Sequence, residues 1–156
     1  MIVFSVSRLE KEDIRLEGSE PPEFIVLAGN EPFEIASRVD YELDISKVSG
    51  GALVTGSAKV DISGECGRCL AAVSREVRAE GFQFFVETPP HAETCDISED
   101  VRTEITLALP MNLLCKDDCR GLCPVCGADL NKKRCSCKPP AQGGSGVWSA
   151  LDDLKL

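Results

Sequence analysis

Eight of the nine cysteines in this chain fall in four close pairs. They are Cys66/Cys69 in C-G-R-C, Cys115/Cys119 in C-x3-C, Cys123/Cys126 in C-P-V-C, and Cys135/Cys137 in C-S-C. Six of them lie within CKDDCRGLCPVCGADLNKKRCSC, and the first pair sits far upstream. Such pairs are how a chain offers thiolates to a tetrahedral ion. One pair bites the ion, the turn between its members aims amide N–H groups at sulfur, and a second pair closes the site. Gly127, just after C-P-V-C, supplies the positive φ that such a turn asks for. Soft thiolates with no redox role suit zinc, so the pairs predict one or two zinc ions.

Two groupings are open. The local one places Cys123, Cys126, Cys135 and Cys137 on one ion, as in a small zinc ribbon. It leaves Cys66, Cys69, Cys115 and Cys119 for a second ion that clips distant parts of the chain together, where a cross-link constrains the unfolded chain most. The other places Cys115, Cys119, Cys123 and Cys126 together and pairs Cys66/Cys69 with Cys135/Cys137. Either way the sites are closed four-thiolate sets, which hold a fold. A catalytic zinc keeps an open position, and no general base stands beside these pairs. C-x-x-C can also be a redox dithiol, but that motif opens a helix after a strand, a context missing at Cys66 and Cys123. Cys95 is left over as a lone thiol. His91, the single histidine, lies in a Pro-rich loop and reads as solvated.

The 156 residues suffice for one domain with a modest core, or a domain plus a small module. The N-terminus lacks a basic, then apolar, leader, and no run approaches the roughly 18 apolar residues of a membrane span. The expected compartment is therefore the cytoplasm, where clustered cysteines are metal ligands more often than disulfides. There is no Gly-rich phosphate loop and no small-molecule substrate site to read.

The predicted fold is α+β, a mostly antiparallel β meander with one or two short helices and a C-terminal Cys-rich, zinc-ribbon-like segment. Residues 1–32 suggest two short strands, at Ile2–Phe4 and Phe24–Leu27, joined by a charged helix or loop. Apolar side chains then alternate with polar ones from Phe33 to Ile45 and again from Ala52 to Ile62, with Ser49-Gly50-Gly51 as the turn. Val73, Val77, Phe82, Phe84 and Val86 give a third strand, with a bulge at Gly81. Cys66/Cys69 falls at the tip between the second and third. Asp96 and Glu99 resemble a capping box for a helix near 99–109 that Pro110 ends. The predicted divisions are a β-rich body over 1–114, a zinc-binding segment over 115–138, a flexible linker over 139–146 and an amphipathic tail over 147–156.

A net charge of −9 argues against gripping a phosphate backbone over the whole surface. Residues 115–138 run the other way, with six cations against three aspartates. Those cations offset the formal charge of thiolates on zinc. The sharper reading makes Lys132, Lys133, Arg134 and Lys138, with Trp148 of the tail, candidate contacts for RNA or a partner.

The residues resemble a known family. E-C-x-R-C-L runs from Glu65 to Leu70 after a long strand. L-x-L-P runs from Leu107 to Pro110 and leads to C-x3-C-x-G-L-C-P-x-C-G-x-x-L-N from Cys115 to Asn131, then C-x-C. The chain closes with W-x-A-L-x-x-L, from Trp148 to Leu154. This is similar to the YceD family, large ribosomal RNA subunit accumulation proteins, over residues from about 30 to 156. The resemblance implies a role in accumulation or processing of large-subunit ribosomal RNA. It supplies no catalytic residues. Some members keep only the upstream pair and a Cys or His pair after the L-x-L-P helix, which implies grouping Cys66/Cys69 with Cys115/Cys119. The Gly-rich stretch before Trp148 is longer here than the family pattern. The expectation is thus a non-enzymatic, zinc-stabilised factor in large-subunit biogenesis that binds a ribosomal protein or a pre-ribosomal particle, with RNA contact open and no membrane partner. The alternatives are a zinc-stabilised interaction module without a ribosomal role, and a C-x-x-C oxidoreductase.

Overall fold

Two long strands carry the fold: β5 (Gly51–Glu65) and β6 (Ala72–Glu87) pair antiparallel along their whole length. The computed structural model describes residues 1–29, 31–89 and 91–137. In β5, Ala52, Val54, Ala58, Val60 and Ile62 are buried, as period-two alternation requires of a strand with one wet face. In β6 the phase changes partway. Val77 and Ala79 are buried before Gly81, and Phe82 after it. Ser57 pairs with Glu80 and Gly56 with Phe82, so Gly81 is the extra, unpaired residue. Its φ of +66° is the left-handed conformation of a bulge glycine. The predicted bulge is present, and it keeps both halves of β6 facing one core.

β4 (Val39–Val48) and the short β3 (Phe33–Ile35) share the other edge of β5. The alternation from Phe33 to Ile45 predicts a single strand, and the structure breaks it at residues 36–38. The break leaves the partner satisfied: Ala36 N–H donates to Asp61 O (2.7 Å), and Ser37 Oγ accepts Asp61 N–H (2.9 Å). β2 (Ile14–Glu20) adds to the outer edge of β4. The expected strand at Phe24–Leu27 is absent. Pro21 and Pro22 cannot donate to a ladder, and the chain makes a 3-10 turn over Pro22–Phe24 instead. Phe24 and the next residue, Ile25, are both buried, and Phe24 lies under the Arg102 guanidinium, 4.9 Å away. The strand IRLEGSE hides in the sequence because only Ile14 and Leu16 of its inward face are apolar, and Gly18 and Glu20 take the next two positions.

A two-stranded ribbon of β1 (Val3–Ser5) and β7 (Thr94–Asp96), the four-residue α1 (Val6–Leu9), and α2 (Ser98–Ala108) join the same core. Ile2, Phe4, Ile97, Val101 and Ile105 are buried with the sheet's apolar face. Each large apolar side chain so buried stabilises the fold by roughly 1.5–3 kcal/mol. Among the described residues no helix is long and apolar enough to cross a membrane.

The predicted capping box does not form. Ile97 occupies the N-cap, and Asp96 stands one residue earlier, accepting the Ser98 N–H (2.9 Å). Glu99 pairs with Arg102 rather than turning back to the helix start. The Ser98 hydroxyl and amide hold the Asp96 carboxyl below the usual carboxylate range. A depressed folded pKa contributes stability above the unfolded value and loses it as pH falls through the folded one. Asp96→Asn is therefore expected to flatten the loss of stability below about pH 4. Urea midpoints from pH 7 to 3 check this; parallel curves for the two proteins would refute it.

α2 ends at Ala108, because Leu109 is held extended by the following Pro110. The chain then runs past buried Leu113, whose carbonyl accepts the Gly67 N–H at the β5–β6 tip (2.8 Å). That bond delivers Cys115 to Cys66.

Candidate metal centre

The sulfurs meet in the local grouping. Cys66, Cys69, Cys115 and Cys119 form one set and Cys123, Cys126, Cys135 and Cys137 another, with the sulfurs of each set within 4.8 Å of one another. In the first set Cys66 Sγ lies 3.8 Å from Cys119 Sγ, and Cys69 Sγ 3.6 Å from Cys115 Sγ. Four sulfurs at the zinc–thiolate distance of about 2.3 Å would stand about 3.8 Å apart along each tetrahedral edge. The observed separations fit that geometry, and four soft donors fit zinc. Both clusters could hold a metal ion.

Local backbone chemistry shapes each knuckle. In the first, Cys66 N–H donates to Ala71 O (2.8 Å) and Leu70 N–H to Cys66 O (2.9 Å). In the second, Cys123 N–H donates to Ala128 O (2.8 Å), Gly127 N–H to Cys123 O (2.9 Å), and Val125 N–H to Cys123 Sγ (3.4 Å). The residue after each C-x-x-C has positive φ, +70° at Gly127 and +58° at Leu70. Glycine is expected there; a leucine in that conformation, with its side chain in solvent, is not.

The two sets differ in depth. In the first, Cys66, Cys69 and Cys119 are buried at the end of the sheet and Cys115 is exposed; in the second, Cys123 is buried, Cys126 exposed, and Cys135 and Cys137 half-buried. Within each set the thiols polarise one another. The Cys115 amide, with those of Arg68 and Cys69, brings Cys66 down to about 6 against the effect of burial. The amides of Cys126 and Val125 bring Cys123 to about 6. Cys115 is pushed up to about 12, first by its hydrogen bond with Cys119, and Cys137 to about 12, first by its hydrogen bond with Cys126. In each set, thiols lowered by hydrogen bonds to sulfur thus stand beside thiols raised by their neighbours, Cys66 and Cys119 beside Cys69 and Cys115 in the first and Cys123 beside Cys135 and Cys137 in the second. A divalent cation entering either would displace the remaining protons.

The space between the sets is tightly built. Arg68, inside the first knuckle, donates from Nη1 to the carbonyls of Asp117 (3.2 Å) and Cys119 (3.0 Å). Its own carbonyl accepts the Leu122 N–H (3.1 Å). Gly121 passes so close that a Cβ there would stand 2.9 Å from Arg68 O, and its φ is +71°. Asn131 Nδ2 donates to Cys119 Sγ (3.4 Å). Cysteine spacing alone does not reveal Arg68 or Asn131 as supports, though both are letters of the motifs quoted above.

Lys132, Lys133 and Arg134 are exposed, and Lys132 pairs with Asp129 (3.5 Å). Lys138, Trp148, the linker and the tail lie outside the described residues. His91 is exposed and joins neither set. Cys95 also joins neither, and burial, then Asp100 and Asp96, push its thiol up.

The profile of the YceD family, described as large ribosomal RNA subunit accumulation protein YceD, matches residues 54–155. An uncharacterized protein of Mycobacterium tuberculosis strain H37Rv is 34% identical over 106 residues, covering 59% of this chain and 51% of its own. The large ribosomal RNA subunit accumulation protein YCED homolog 1, chloroplastic, of Arabidopsis thaliana is 39% identical over 49 residues, covering 31% of this chain and 15% of its own. Its namesake in Zea mays is 40% identical over 52 residues, covering 33% and 18%. The chain spans about half the length of the mycobacterial relative it matches. No solved structure matches it significantly. The match extends from near the start of β5 through both cysteine sets, well over half of the chain, and the chain belongs to the YceD family.

Proposed function

We propose that this protein is a non-enzymatic factor in the accumulation of large-subunit ribosomal RNA. It acts in the cytoplasm by binding a ribosomal protein or an assembly intermediate, with a zinc ion in each four-cysteine set as scaffold. The observation that carries this reading is the family match over residues 54–155. The site chemistry agrees with a binding role. Each set offers four sulfurs and leaves no coordination position for a substrate. The solvent face of the sheet presents Asp40, Glu42 and Asp44 from β4. Arg15 reaches across to Glu17 (2.8 Å) and Glu42 (3.3 Å), relieving two like charges that the register sets opposite each other. An acidic face of this kind suits a basic protein segment better than a phosphate backbone. The cations at 132–134 leave a local contact with RNA open to measurement.

Deletion of the gene is expected to lower the ratio of large to small subunits on sucrose gradients and to reduce mature large-subunit RNA relative to its precursor. Complementation with the intact gene should restore both. Unchanged profiles would overturn the ribosomal role and leave a zinc-stabilised interaction module.

A further inference from the structure

Asn131 belongs to the segment of the second set, between Cys126 and Cys135, yet it touches a sulfur of the first. Its side-chain nitrogen donates to Cys119 Sγ at 3.4 Å. The same nitrogen, and the Asn131 main-chain N–H, donate to Asp129 Oδ1, each at 2.9 Å. Its side-chain oxygen accepts the Arg120 N–H at 2.9 Å. These partners fix which end of the amide faces sulfur, because the oxygen must meet a donor and the nitrogen must meet acceptors. Asn131 is therefore held on three sides in the one orientation that presents an N–H to Cys119. From the opposite side, Arg68 grips the carbonyl of Cys119 and, through its own carbonyl, the Leu122 N–H beside Cys123. Each set thus lends the other a hydrogen-bonding support. Partners of this kind orient a ligand, and losing one typically costs about 10–100-fold in metal affinity.

We propose that Asn131 is a positioning residue that couples the two cysteine sets, so that metal retention by Cys66, Cys69, Cys115 and Cys119 depends on the second set being closed. By linkage the dependence runs both ways. The inference rests on the reading that both sets hold zinc.

The test uses the full chain loaded with zinc, titrated with a metallochromic chelator, and the same proteins loaded with cadmium-113 and followed by NMR. Asn131→Asp keeps an oxygen for the Arg120 N–H and replaces the nitrogen donor by a carboxylate oxygen facing sulfur. It is expected to weaken the first set about 10–100-fold and to shift that set's cadmium resonance. Cys135→Ser with Cys137→Ser opens the second set without touching Asn131. It is expected to weaken the first set by a similar factor, and adding Asn131→Asp should then change little more. Lys133→Ala, two residues on and exposed, with no ion pair of its side chain among the described residues, should leave the first set unaffected. A first-set affinity within about twofold of the natural protein in either the Asn131 or the double-serine variant would overturn the coupling. So would a Lys133→Ala effect as large as that of Asn131→Asp, since the loop would then be acting only through general looseness. A natural protein that retains no metal overturns the zinc reading itself, and is distinguished from the first result by its zinc content before any variant is made.

Discussion

Replacing Cys66 by serine is expected to leave the protein with one zinc ion instead of two and to free the segment after Pro110 from the β5–β6 tip. Cys66 is fully buried, and its sulfur lies against that of Cys119, 53 residues later. An ion held by this set closes a long loop that contains β6, β7 and α2. A cross-link over a loop of this length constrains the unfolded chain by the equivalent of roughly 10 °C in melting temperature. A matched lesion in the second set, Cys126→Ser, should behave differently. Its four sulfurs come from a short stretch, Cys123 to Cys137, that closes on itself. Zinc content should fall to one ion there too, with a much smaller change in the melting of the sheet. Zinc per chain and thermal unfolding by circular dichroism measure both. Retention of two ions by Cys66→Ser would remove Cys66 from the ligands. Equal losses of melting temperature in the two variants would show that the first set is no more of a cross-link than the second.

Deleting Gly81 and forcing it out of its bulge conformation should have opposite effects. Gly81 is the residue that turns β6 from burying odd positions to burying even ones. Deleting it leaves Glu80 opposite Ser57 and Phe82 opposite Gly56 in unbroken alternation, so Phe82, Phe84 and Val86 keep their face. Gly81→Val keeps the extra residue but adds a β-branched side chain that resists the positive φ of the bulge; taken into the ladder as an ordinary residue, it would carry buried Phe82 and half-buried Phe84 and Val86 to the wet face, since a one-residue slip exchanges the two faces of a strand. The expected result is a deletion variant within about 2 kcal/mol of the natural protein and a valine variant that loses more than that, read from urea midpoints. Gly81→Ala isolates the backbone effect. Nothing lies within 4 Å of a Cβ placed there, so only the positive φ resists it, at roughly 1–2 kcal/mol. A deletion variant that no longer unfolds cooperatively would show that Gly81 supplies more than the phase of β6.

Much of the fold is written in local spacing. The alternation in β4 and β5, the phase change across Gly81, the turn at Ser49-Gly50-Gly51, and the stop at Pro110 each depend on residues a few positions apart. Periodicity reads such relations directly. β2 shows no such alternation because its inward face carries only two apolar residues, Ile14 and Leu16, before Gly18 and Glu20. The false strand at Phe24–Leu27 arose because consecutive apolar residues after two prolines can bury equally well in a turn.

The pairing of the cysteine sets belongs to another scale. Spacing named the eight paired cysteines and proposed the local grouping, yet left a second grouping open, because a thiol carries no mark of its distant partner. The antiparallel register of β5 and β6 places Cys66 and Cys69 at one end of the sheet, and α2 with Leu113 brings Cys115 and Cys119 to that same end. The break at residues 36–38 and the reach of Asn131 to Cys119 are also long-range outcomes. Short-range steric and periodic rules act on neighbours in the chain. Which edges pair and which sulfurs meet is settled only when the whole apolar face is buried at once, and that condition has no local signature.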